Sequence, residues 1–202
     1  MNELRGRLQT SLGELRSKIE TEWDATPAAV LIPLYQEEGA WKLLFTRRTD
    51  SVDVHAGQIS FPGGRIEASD GTATAAALRE AEEEIGLDPS DVETLGQLNP
   101  LLTVTQFLVT PVVGIIPWPY SFALNSTEVA RIFGVPIDWL ADPRNLEVKE
   151  RQPLIPGRNV LVYYFKEFDG ETIWGVTARI TVDFLQILDA SGLRSAEDKP
   201  SA

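Results

Sequence analysis

The chain contains no cysteine and only one histidine, His55. Disulfides, thiolate nucleophiles and zinc–thiolate centres are excluded, and so is any site that needs several histidine ligands. A basic excess is missing too: 18 Lys and Arg stand against 30 Asp and Glu, for a net charge of −12. Binders of nucleic acid normally present a basic face, so nucleic acid is not an expected partner. No long uninterrupted apolar run occurs either. The longest stretch, Leu101 to Tyr120, is broken by Thr103, Thr105, Gln106, Thr110, Pro111 and Pro117. It reads as a buried strand with its flanks and not as a membrane span. The first twenty residues lack the apolar centre of a signal peptide. A cytoplasmic location without membrane association is therefore expected.

The 202 residues suit a single domain spanning 1–202, with no internal repeat and no dividing linker. Leu4, Leu8, Leu12, Leu15, Ile19 and Trp23 recur at helical spacing, which predicts an amphipathic helix within 1–24. Ala28–Tyr35 and Trp41–Arg47 read as a strand pair turning at Gly39, and 49–71 as mostly loop. Ala73–Ile85 is a strong helix stopped by Gly86. Val92–Leu98 and Phe107–Ile116 read as strands, Asn125–Phe133 as a short helix, Leu146–Arg151 and Val160–Phe165 as strands, and Thr177–Leu188 as a last helix. The tail 195–202 is polar and expected to be disordered. Strands mixed with helices suggest a sheet with helices on its faces.

Chemistry concentrates between Phe61 and Leu87, FPGGRIEASDGTATAAALREAEEEIGL. On a helical wheel Leu78, Ala81 and Ile85 face the core, while Glu80, Glu83 and Glu84 cluster on another side at i, i+3, i+4 spacing. Glu82 points to solvent. Clustered carboxylates repel one another unless a hard divalent cation bridges them. Such a cation activates water and neutralises charge on a phosphoryl group. It also reconciles an acidic protein with an anionic substrate. Upstream, Gly63 and Gly64 allow close approach of a backbone to a ligand, and Pro62 stiffens the entry. A run such as EAEEE is also what a solvated helix face looks like. The fixed order of glycine turn, acidic loop and Arg-Glu-x-x-Glu-Glu-x-Gly is what favours chemistry.

In that order the sequence resembles the Nudix hydrolase family. Arg79 to Leu87, REAEEEIGL, matches the second half of its box without a gap. Gly64 and Asp70 sit one place early relative to the general pattern, a spacing carried by the coenzyme A diphosphatase branch. LLFTRRT followed by HAGQISFPGG, and IWGVTARI near the C-terminus, resemble further signatures of that branch. The resemblance covers about residues 28–188. It implies an α/β fold, a mixed β-sheet in an α/β/α sandwich. It implies hydrolysis of coenzyme A or a derivative to adenosine 3′,5′-bisphosphate and 4′-phosphopantetheine, with Mg²⁺ or Mn²⁺ as cofactor. The alternatives are another diphosphate substrate, such as ADP-ribose, NADH or a dinucleoside polyphosphate, or a non-catalytic nucleotide-binding module. Glu80, Glu83 and Glu84 would be the metal ligands. Arg79 would orient the catalytic glutamates. Arg48, His55, Gly63 and Gly64 would meet the substrate. One place departs: Asp53 stands where the branch carries an arginine.

Several residues keep two explanations. His55 either touches phosphate or ties down its loop. Arg47 and Arg65 are better explained as surface arginines. Glu128 follows Asn125 at capping-box spacing, and by the resemblance it is equally a candidate general base or extra metal ligand. Trp118, Tyr120 and Phe122 either stack on adenine or close the core. Trp174 is expected in the core. The expected partner is a small nucleotide substrate, and a homodimer is allowed for.

Overall fold

The computed structural model describes residues 2–14, 25–50, 57–151 and 160–190. Helix α1 (Asn2–Glu14) buries Leu8 and Leu12. Strands β1 (Thr26–Glu37) and β2 (Ala40–Arg48) pair antiparallel around Glu38–Gly39, where φ is 51° and 83°. The short strands β3 (Ile59–Ser60) and β4 (Gly63–Arg65) follow, then helix α2 (Ala73–Ile85). Next come β5 (Glu93–Gln97), β6 (Leu101–Leu102), β7 (Phe107–Ile115) and β8 (Val129–Pro136). The chain continues through α3 (Ile137–Ala141), β9 (Leu146–Arg151), β10 (Val160–Phe165) and α4 (Gly175–Ala190).

Eight strands form one mixed sheet with the main order β3-β2-β1-β7-β5; β4 joins β1, β6 joins β7 and β8 joins β2. β1 and β7 run parallel, with Ala29 opposite Thr110. β9 and β10 form a separate two-stranded sheet. AAVLIPLY is apolar throughout because both faces of β1 are covered. Ala29 and Leu31 pack with Ala76, Ala77, Ala81 and Ile85 of α2. Ala28 and Ile32 face the other side, with Leu8 and Leu12 of α1 and Ala178, Phe184 and Leu188 of α4. This is the three-layered arrangement of helix, sheet and helix.

Most predicted elements are found, α2 with both ends as expected and Gly86 capping it at φ 67°. Two expectations are corrected, and one is refined. Asn125–Phe133 is not a helix: 126–128 form a turn, and β8 begins at Val129. Val129, Ile132 and Val135 suit a pleated strand, and pairing along β2 overrides the local capping pattern. The stretch 49–71, expected as mostly loop, also carries the short strands β3 and β4, both too short to show a periodicity. Trp174 is not in the core. It is 40% exposed and stacks on Tyr164 with ring centroids 5.9 Å apart. The predicted helix beyond Glu14 and the tail 195–202 lie outside the described residues. No helix among the described residues is long and apolar enough to cross a membrane.

Candidate active site

Helix α2 starts at Thr72, whose hydroxyl accepts from Ala75 N at 3.1 Å. Ala76, Ala77 and Ala81 are fully buried, and their small size lets the helix lie close to the sheet. That placement sets the depth of each glutamate. Glu84 faces inward with a side chain 5% exposed, Glu80 is intermediate at 17%, and Glu83 lies outward at 57%. Glu82 is exposed, as its place on the wheel requires.

Arg79 gathers the outer carboxylates. Its Nη1 is 3.0 Å from Glu80 Oε1 and donates to Glu83 Oε2 at 3.1 Å. The other edge of the guanidinium is held by Asp70, with Nε donating to Oδ1 at 2.8 Å and Nη2 to Oδ2 at 3.2 Å. Nη2 also donates to Arg65 O at 3.1 Å. This bidentate clamp fixes where the guanidinium points. Arg79 in turn holds the Asp70 carboxyl below its ordinary value. The acidic place upstream of the helix was visible in the sequence, but its function as the holder of Arg79 was not.

Arg48 and Arg47 are neighbours in β2, and strand alternation sends them to opposite faces. Arg48 reaches the α2 side, with Nη1 4.0 Å from Glu84 Oε1. Arg47 pairs on the other side with Asp50 and Glu171. Arg65 lies over the Phe107 ring, 5.6 Å from its centroid. The Gly-Gly turn is occupied by the protein itself. A Cβ on Gly64 would lie 2.4 Å from Glu80 Oε1, and one on Gly63 would lie 2.4 Å from Ala29 O. Gly63 also hydrogen-bonds Glu84 through its backbone. These glycines make room for the glutamates and for β4 against β1.

The turn before β8 docks on the end of α2. Asn125 N donates to Glu84 O at 2.9 Å, and Thr49 N donates to Glu128 O at 2.9 Å. The capping explanation of Glu128 falls with the helix; its Oε1 instead accepts from Asn125 Nδ2 at 3.3 Å. The charge of Glu128 is near enough to raise both Glu80 and Glu84. Burial is the main cause in both. It lifts Glu80 above its ordinary value and pushes Glu84 up to about 8, against the lowering pull of Arg79 on the former and Arg48 on the latter. Trp118, Tyr120 and Phe122 pack on the α2-side core, and Trp118 stacks on Tyr35 at 4.1 Å. Their faces close the core. His55 and Asp53 lie outside the described residues.

Among the described residues, no three carboxylates stand as a ready-made cation cage. Glu83 is turned away onto Arg79, although the wheel places it beside the others. The donor set still fits a hard cation. It is all oxygen, and Glu84 Oε2 is buried with no hydrogen-bond partner. Mg²⁺ typically takes only one or two carboxylates and completes its shell with waters and substrate phosphates.

Residues 25–156 match the NUDIX domain. The chain belongs to the Nudix hydrolase family. This Nudix hydrolase is 41% identical over 156 residues to an uncharacterized Nudix hydrolase, NudL, of Photorhabdus laumondii, covering 76% of this chain and 80% of that one. It is 36% identical over 159 residues to the peroxisomal coenzyme A diphosphatase NUDT7 of Mus musculus, covering 76% of this chain and 66% of that one. Among solved structures it resembles DR0079 of Deinococcus radiodurans, with a TM-score of 0.52 and 15% identity, over 83% of this chain and 88% of that chain. That likeness shows the fold. Nudix hydrolases use divalent metal ions, in agreement with the all-oxygen site of this one.

Proposed function

We propose that this Nudix hydrolase cleaves the diphosphate linkage of coenzyme A or a derivative, giving adenosine 3′,5′-bisphosphate and 4′-phosphopantetheine. The observation that carries the substrate is the 36% identity to the Mus musculus coenzyme A diphosphatase over 159 residues. Glu80 and Glu84, with Glu83 on the outer side, would hold Mg²⁺ or Mn²⁺. When bound, the cation polarises the diphosphate and lowers the pKa of an attacking water. Arg79, fixed by Asp70, keeps Glu80 and Glu83 oriented. Arg48 sets the Glu84 carboxylate and offers its remaining donors to phosphate. Glu128 accepts the proton of the attacking water at its carboxylate. The water oxygen bonds to phosphorus as the bridging P–O bond breaks. The protein acts in the cytoplasm on a small nucleotide, without nucleic acid or membrane; a homodimer is compatible with this reading.

Turnover of coenzyme A, dephospho-coenzyme A, ADP-ribose, NADH and a dinucleoside polyphosphate with Mg²⁺ and with Mn²⁺ tests the proposal. Coenzyme A is expected to have the highest kcat/KM, and its two products to be separable by chromatography. A second reading rests on Asp53. An acidic group cannot supply the bidentate donors of the branch arginine to the 3′-phosphate. Equal kcat/KM for coenzyme A and dephospho-coenzyme A would favour it. A higher value for ADP-ribose or NADH would overturn the coenzyme A assignment.

A further inference from the structure

On the face of the sheet opposite α2, Arg47 of β2 and Arg131 of β8 stand directly across from each other. Like charges at such a position push the strands apart. One carboxylate oxygen lies between them: Glu171 Oε1 is 3.6 Å from Arg47 Nε and 3.5 Å from Arg131 Nη1. The Glu171 side chain is 14% exposed, and Arg47 and Arg131 reach it from the surface at 27% and 40%. Its backbone is fixed. Glu171 and Phe168 exchange two hydrogen bonds, 2.9 and 3.0 Å, around Asp169–Gly170, with φ values of 53° and 79°. Both positive φ angles match the tight primed turn that an Asp-Gly pair favours. Phe168 anchors the turn edge-on against Trp139, 4.9 Å between centroids.

The strand register slips immediately beyond this arginine pair. Arg47 pairs with Arg131, but Arg48 pairs with Val129, leaving Ala130 as the extra residue of a bulge. Bulges re-aim the side chains around them. Here the extra residue lies in β8, and just beyond it Thr49 N donates to Glu128 O. Thr49 Oγ1 also donates to Thr127 O at 3.0 Å.

We infer that Glu171 is a positioning residue for the hydrolytic site, acting through the sheet: it bridges Arg47 and Arg131, which Asp50 and Asp169 each hold singly, and so keeps the bulge of β8 that places Glu128. Glu171 touches no reacting group. The inference rests on the reading that Glu84 and Glu128 perform the hydrolysis.

The test compares Glu171→Gln with the full-length wild type, on whichever diphosphate of the panel above the wild type hydrolyses fastest. Glu171→Gln is expected to lower kcat about tenfold, a usual size for coupling between contacting groups, and to leave KM nearly unchanged. Hydrogen exchange at the Thr49 amide should accelerate, while amides along the β1–β7 pairing keep their protection. In a Glu128→Gln background the same substitution should have almost no further effect on kcat. Asp169→Asn, which removes the other carboxylate on Arg131 but leaves the bridge to Arg47, should lower kcat less than Glu171→Gln. Equal loss of kcat in both backgrounds, or unchanged Thr49 exchange, overturns the inference. Glu84→Gln is measured in parallel. If it retains turnover, the reading of the site fails. If it is inactive while Glu171→Gln keeps wild-type kcat, the positioning inference alone fails.

Discussion

Glu83 and Glu84 adjoin on one helix, yet their side chains are 57% and 5% exposed. The inner carboxyl, pushed up to about 8 by burial, keeps its proton at neutral pH in the cation-free protein. The unfolded chain would release that proton near the ordinary value of 4.5. Between those two values the native state binds more protons than the unfolded one, so stability falls as pH rises. Glu80 is raised as well and acts with the same sign. Asp70 is lowered and acts with the opposite sign, but only below its ordinary value of 3.8. Glu84→Gln should therefore raise the melting temperature in EDTA at pH 8.5, do so much less at pH 5, and reduce kcat by at least roughly a hundredfold. Thermal unfolding at the two pH values checks the first part and steady-state turnover the second. An equal gain at both pH values would show that burial of the charge is not the cause. The helical wheel made the three glutamates legible as neighbours. Their different depths were not legible, because depth depends on β4 and the 126–128 turn covering one side of the helix. The opposite pointing of Arg47 and Arg48 follows from strand period alone.

Strand β4 shows how two adjacent glycines serve different ends. A Cβ on Gly63 would meet backbone, 2.4 Å from Ala29 O and 2.6 Å from Val30 Cα. A Cβ on Gly64 would meet the tip of the Glu80 side chain, which can swing aside. Gly63→Ala is thus expected to cost about 1–3 kcal/mol of stability by overpacking. Gly64→Ala should keep the fold and lose turnover, because Glu80 is displaced. Denaturant unfolding beside kcat separates the two, and an active Gly64→Ala variant would remove Glu80 from the site. The element that sequence misread lies next door. Asn125 and Glu128 have capping-box spacing, and local pattern alone favours a helix there. The partner that decides is β2, some eighty residues away along the chain, as the pairing of Thr46 with Ile132 shows. Without a helix to cap, Glu128→Gln leaves the Thr49 N to Glu128 O bond in place. It should reduce kcat by about 10²–10⁴-fold, the usual worth of a general base, with the melting temperature little changed. Full activity with an unaltered pH–rate profile would leave Glu128 a turn residue only.

At the scale of the whole molecule, the continuous apolar run of β1 already signalled a strand covered on both faces. The box motif supplied the rest of the sandwich by resemblance. Strand order was not legible, since β8 against β2 and Glu171 behind Arg47 are long-range contacts with no local pattern. Charge, by contrast, is read directly from sequence and has a consequence of its own. The net charge is −12, and any diphosphate substrate is anionic. The arginines at the site do not reverse that field, because Arg79 is shared by Asp70, Glu80 and Glu83, and Arg48 faces Glu84. Beyond the reach of the bound cation, substrate therefore approaches against the field of the net charge, which added salt screens over a Debye length of about 10 Å at 0.1 M. At saturating Mg²⁺, raising KCl from ~20 to ~150 mM should increase kcat/KM and leave kcat nearly constant, since screening at these concentrations acts on encounter more than on buried groups. The slope should be steeper for coenzyme A than for dephospho-coenzyme A, which carries one phosphate fewer. Stopped assays at low substrate across the salt series measure this. A kcat/KM that falls with salt would mean that the local arginines, and not the net charge, govern the encounter.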